Sequence, residues 1–108
     1  MPKYLWRVSY SEEGARGVLA QGGSARRAAI TEMVESVGGH VDACYFAFGE
    51  DDLFVIGDAP DEVSAAALAI RTAASGAAIS HTVTLLTPEQ VDEAVARDVT
   101  YRPPVEAS

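Results

Sequence analysis

The stretch Gly38 to Pro60, GGHVDACYFAFGEDDLFVIGDAP, limits what this chain can fold into more than any other. His40 to Phe48 and Leu53 to Ile56 are rich in β-branched and aromatic residues, and Gly49-Glu50-Asp51-Asp52 between them tolerates turn dihedrals, so the stretch reads as a β-hairpin. Its strands are apolar on both faces. Val41, Ala43, Tyr45 and Ala47 alternate with Cys44, Phe46 and Phe48, and Leu53 and Val55 alternate with Phe54 and Ile56. A sheet with one solvated face would show a clean polar alternation instead. The two or three helices available to 108 residues can cover one face of a sheet. The other face is expected to meet a partner, and a second copy of the chain is the simplest one.

The flanking segments supply the rest of the sheet and its helices. Lys3 to Tyr10 reads as a central strand with Tyr4, Trp6, Val8 and Tyr10 on one face. Ser11 is placed to cap a helix over Glu12 to Ala20, and Ser24 a second helix whose apolar positions are Ile30, Met33, Val34 and Val37. Gly38-Gly39 ends that helix. After the hairpin, Pro60 opens a helix with Val63, Ala66, Ala67, Ile70 and Ala74 as its apolar stripe, stopped by Gly76. Ala78 to Leu86 is a fourth strand, with Ile79, His81, Val83 and Leu85 on one face and Ser80, Thr82 and Thr84 on the other. Thr87-Pro88-Glu89-Gln90 is a capping box that starts a last helix reaching about Asp98. The pattern is α+β: a ferredoxin-like βαββαβ unit with a four-stranded antiparallel sheet and an extra C-terminal helix. One domain is expected over residues 1–98, with 99–108 as a tail.

Charge and cysteine usage remove several function classes. Sixteen acidic against eight basic residues give a net charge of −8, which repels nucleic-acid backbones and anionic membranes, so neither is expected as a partner. Lys3, Arg7, Arg16, Arg26 and Arg27 lie in the first 31 residues with only two acids, leaving three basic and fourteen acidic groups to the rest. Pairing between the two parts is the ordinary outcome. The single cysteine, Cys44, closes no intrachain disulfide, no metal-ligand spacing occurs, and the amino terminus carries no cleavable leader pattern. These features point to a cytoplasmic protein without metal or cofactor.

Few residues offer chemistry. Cys44, flanked by apolar neighbours, reads as a small buried hydrophobe. Glu50-Asp51-Asp52 is three adjacent carboxylates without further spaced ligands, and a solvated turn suits it better than a cation. Asp52, at the start of a strand beside Gly49, is expected to accept turn N–H groups and so to be structural. His40 and His81 are the only histidines; with Asp42 or Asp52 they could do acid–base work if the fold brought them together. Trp6 suits core packing or the wall of a pocket, and Arg7 on the opposite face calls for an acid, expected across a dimer. Arg26 and Arg27 break a local rule, because the first turn of a helix disfavours cations. Either carboxylates elsewhere compensate them, or the Gly22-Gly23-Ser24 loop, the helix start and one arginine form a site for a small organic anion. Trp6, Arg26, Arg27 and His81 are thus the candidates for a ligand pocket.

The opening MPKYLWRVSYSEEG, the run SARRAAITEMVESVGGHVDACYFAFGEDDLFVIGDAPDE and the closing VTLLTPEQ together resemble the GYD domain family, small proteins of the dimeric α/β barrel superfamily. The likeness covers about residues 1 to 95. The family's Gly, Tyr, Asp signature falls on Gly49, Asp51 and Asp52, with Asp51 where the tyrosine would stand. The resemblance implies two ferredoxin-like subunits joined through their sheets, and no established reaction. Three readings follow: a dimeric module binding a small organic ligand between sheet and helices; a cofactor-free enzyme of the monooxygenase or isomerase type, by fold analogy; or a ligand-sensing subunit that acts through a partner protein. A pocket holding His81 or Trp6 beside a carboxylate would favour the enzyme, and a fully packed sheet–helix interface an interaction role.

Overall fold

Eight elements follow one another: β1 (Lys3–Tyr10), α1 (Glu12–Gln21), α2 (Gly23–Ser36), β2 (His40–Phe46), β3 (Leu53–Asp58), α3 (Glu62–Ala74), β4 (Ala78–Leu85) and α4 (Pro88–Val95). They are seen in a computed structural model that describes residues 1–47 and 49–105. The expected extension of the first hairpin strand to Phe48 falls outside the described residues. The strands form one sheet in the order β2-β3-β1-β4, and every neighbouring pair is antiparallel. This is the ferredoxin-like βαββαβ arrangement with a C-terminal helix added.

The alternation in β1 sets the two faces of the sheet. Tyr4, Trp6 and Val8 are buried beneath the helices, and with Leu53, Val55, Ile30, Val34 and Leu68 they make the core. Cross-strand register carries each face outward: Trp6 stands opposite Val55 and Thr82, and Val8 opposite Leu53 and Ser80. On the other face Leu5 stands between Ile56 and Val83, and Arg7 between Phe54 and His81. No helix covers that second face among the described residues, and Ile56, Ile79, Val83 and Tyr45 are exposed on it.

Several details differ from the sequence reading. Simple alternation puts Val41 with Ala43 and Tyr45, but a register shift between Val41 and Ala43 inserts Asp42 as an extra residue. A one-residue insertion turns the side chains before it to the opposite face, so Val41 packs on the core with Cys44. Ser24 is not a cap: Gly22, at φ 84°, occupies that position without a side-chain bond, and its N–H closes α1 onto the Val18 carbonyl. That dihedral suits glycine and lets α2 start at once. On α3 the buried positions are Ala65 and Leu68, while Val63 and Ile70 are 78% and 67% exposed. Asp61, rather than Pro60, begins this helix, its carboxylate accepting the Ser64 N–H at 2.7 Å.

The capping box of α4 forms, with Thr87 and Gln90 each bonding the other's backbone, but the helix stops at Val95 and buries no residue. The radius of gyration is 17.5 Å and the longest axis 59 Å, whereas a compact chain of this length has a radius near 13 Å. The difference reflects the C-terminal segment standing away from the body.

Candidate functional site

Between the helix-facing side of the sheet and helices α2 and α3 lies a partly open cavity of about 60 Å³. Its walls come from both layers: Trp6, Val8 and Tyr10 from β1, Leu53 and Val55 from β3, Ala78 and Ser80 from β4, Ile30 and Val34 from α2, and Leu68 from α3. The sheet–helix interface is therefore not fully packed.

The polar groups in this apolar space are few and unpaired. Trp6, Tyr10, Arg26 and Ser80 all line the cavity; their Nε1, Oη, Nε and Oγ atoms are shut off from solvent without a hydrogen bond of normal geometry among the described residues, although the Arg26 guanidinium lies close enough to the Tyr10 hydroxyl to act on it. Each such group left unpaired costs about 1–3 kcal/mol. Four around one space mark it as unfinished rather than as ordinary core. Burial pushes the Tyr10 phenol up from its ordinary 10.0, and the neighbouring Arg26 guanidinium pulls it partly back. The phenol thus stays protonated near neutrality and is able to donate. Thr72, also on the wall, donates its hydroxyl to the Leu68 carbonyl at 2.8 Å.

Of the residues expected in a pocket, Trp6 and Arg26 meet in this cavity and the other two lie elsewhere. Arg27 is exposed and borders a shallow groove along β2 with Thr31 and Asp42. His81 projects from the uncovered face, on the far side of the sheet from Trp6. Arg26 and Arg27 form no ion pair among the described residues, although carboxylate partners were the simpler expectation. Tyr10 and Ser80 were not singled out by the sequence. Tyr10 shares a face with Trp6 in β1, a signal that could have found it, whereas Ser80 stands with Thr82 and Thr84 on the polar face of its strand and carries none.

The hairpin turn is structural. Asp52 Oδ2 accepts the Tyr10 N–H at 2.8 Å, and Ser9 Oγ donates to Asp51 Oδ1 at 3.2 Å. Arg7 has an acid within its own chain, Asp51 at 3.8 Å. The two histidines do not converge, since β2 and β4 are opposite edges of the sheet; His40 instead lies 3.2 Å from Asp58. Burial raises the Cys44 thiol pKa, with Arg27 opposing, which is the behaviour of a packed thiol rather than a nucleophile. Among the described residues no three His, Cys, Asp or Glu side chains gather to hold a metal, and no helix is long and apolar enough to cross a membrane.

The GYD domain model matches residues 4–95. The chain belongs to the GYD domain family. No curated protein and no solved structure is significantly similar to it. The GYD match spans β1 through α4 and so includes every wall of the cavity as well as the Gly49, Asp51, Asp52 turn.

Proposed function

We propose that this GYD domain is a dimeric module that binds a small organic ligand in the cavity between sheet and helices. The observation that carries the reading is the set of four unpaired polar groups around one apolar space. A void kept only by imperfect packing would be lined by apolar atoms. Convergent polar groups in an apolar recess are the usual make-up of a ligand site. Among the described residues no carboxylate and no histidine lines the cavity, so proton transfer would fall to Tyr10, and this favours binding over a cofactor-free enzyme. A reducing compartment such as the cytoplasm suits the unpaired Cys44.

The partner is a second copy, placed against the uncovered sheet face. Leu5, Ile56 and Val83 form one apolar row across it, and Tyr45 and Phe54 extend the next. Joining two such faces removes these side chains from water at about 25 cal/mol per Å² of apolar area, and Arg7 is already paired within its own chain. Sedimentation at micromolar concentration is expected to give twice 11.4 kDa, and Ile56→Lys to shift the protein to monomer. A wild-type monomer at that concentration would remove the dimer. Ligand binding is tested separately, by following the one tryptophan, Trp6, while small carboxylates, amides and amines are titrated. If no compound of the three classes disturbs it, the binding reading falls.

A further inference from the structure

We infer that the occupant of this cavity is a short-chain monocarboxylate, its carboxyl group held by Arg26, Tyr10, Ser80 and the Trp6 indole and its alkyl end lodged among the core residues. The inference rests on the ligand-binding reading above and adds the chemical class.

The argument runs through donors, charge, polarity and size. Trp6 Nε1 and Arg26 Nε can only donate, whereas the Tyr10 and Ser80 hydroxyls can donate or accept. An occupant must therefore present acceptors, and a primary amine or ammonium has the wrong polarity. Arg26 brings a guanidinium cation to the wall. It faces no carboxylate among the described residues, and no acidic residue lines the cavity. Arg26 is partly buried, with its Nε shut off from solvent, so an anion answers it better than a neutral carbonyl compound does. Guanidinium and carboxylate also match in shape.

Apolar walls exclude a second charge. Val8, Ile30, Val34, Leu53, Val55 and Leu68 surround the rest of the space, and a dicarboxylate or a phosphate dianion would have to desolvate its extra charge against them. Size sets the chain length. A volume of about 60 Å³ is room for a small molecule and too little for a long acyl chain. Butyrate is of that size. Water alone is the competing occupant, since it would bond the same four groups, and a Trp6 resonance that no titrant moves would favour it.

The test follows the Trp6 indole N–H resonance, the only one of its kind in the chain, as sodium butyrate, butyramide and butylammonium chloride are titrated into the full-length protein at constant ionic strength. Butyrate is expected to shift the resonance saturably and butyramide about tenfold or more weakly, with butylammonium inert. Arg26→Gln should weaken butyrate about ten- to hundredfold and leave butyramide unchanged, and Ser80→Ala should weaken both more modestly. Equal binding of butyrate and butyramide by the wild type would overturn the carboxylate assignment while leaving a ligand cavity in place. No shift with any of the three would overturn both. The wild-type contrast needs no variant, so a misfolded substitution cannot mask the outcome.

Discussion

Asp52 should matter more to stability than any other residue of the hairpin turn, for a reason set by strand register. The β1–β3 ladder ends at Val8 opposite Leu53, and the Asp52 N–H extends it by one bond to the Val8 carbonyl at 2.8 Å. Two residues along, Tyr10 points its N–H to the same side, where β3 has not yet begun. The Asp52 carboxylate stands in for the missing carbonyl at 2.8 Å. Asp52→Ala leaves that N–H without its acceptor and is expected to cost about 1–3 kcal/mol. Asp52→Asn keeps an oxygen but loses the charge assistance, so about 1 kcal/mol is expected. Asp51→Ala should cost less, about 0–1 kcal/mol, because Ser9 and the half-exposed Arg7 can turn to water. Urea unfolding at pH 7 and one fixed protein concentration reads the series: at about 1–3 kcal/mol per M the Ala variant moves the midpoint by about 1 M. Hydrogen exchange at the Tyr10 amide gives a local check, with protection lost in Asp52→Ala. If Asp51→Ala destabilises as much as Asp52→Ala, or if the Tyr10 amide stays protected, the capping argument is wrong.

Tyr4 offers a pH-dependent test, since it is 2% exposed and its hydroxyl has no partner among the described residues. Burial first, then the Glu62 and Asp61 charges, raise its pKa above the ordinary 10.0. The unfolded chain thus releases this proton before the folded one does. Stability is complete below pH 10 and is lost as pH climbs through the folded value. Tyr4→Phe should be neutral or slightly stabilising at pH 7 and should flatten the alkaline fall; parallel curves for both proteins would show that Tyr4 does not drive it. Removal of residues 88–108 should change the urea midpoint by no more than about 0.5 kcal/mol equivalent, because α4 buries nothing. A larger loss at constant concentration would mean that α4 docks on a surface not seen in the single chain.

The fold was legible because its signals were local and agreed with one another. β1 alternates cleanly, Gly38 takes φ 88° at the end of α2, and the hairpin and capping box form at the residues that announced them. The failures share a cause. Alanine satisfies helical periodicity on every face of α3, so the β-branched Val63 and Ile70 drew the stripe to the side that is in fact exposed. The bulge at Asp42 carries no residue signature that period-two reading can detect, and it decides which face Val41 joins. Gly22 pre-empted Ser24 as a cap because a positive φ, rather than a side-chain oxygen, makes the break between α1 and α2.

The site was less legible, since a cavity depends on what the sheet and the helices together fail to fill. Arg26 broke a helix rule, and that local conflict was visible in the sequence; that its side chain lines a cavity beneath α2 while Arg27 stays outside follows from the 100° step between consecutive helix residues and the phase of α2 on the sheet. Tyr10 and Ser80 belong to strands that each read correctly, yet nothing in either strand alone says that the helices leave room above them. The register that sets Val8 beside Ser80 and Tyr10 beside Ala78 brings both hydroxyls to one end of the cavity. Replacing Ser80 by alanine and Tyr10 by phenylalanine would remove two unpaired polar atoms with little loss of packing, and by the cost of such atoms the double variant should be more stable than the wild type in the absence of any occupant. A chain that keeps these hydroxyls against its own stability gives up folding free energy that bound ligand would restore.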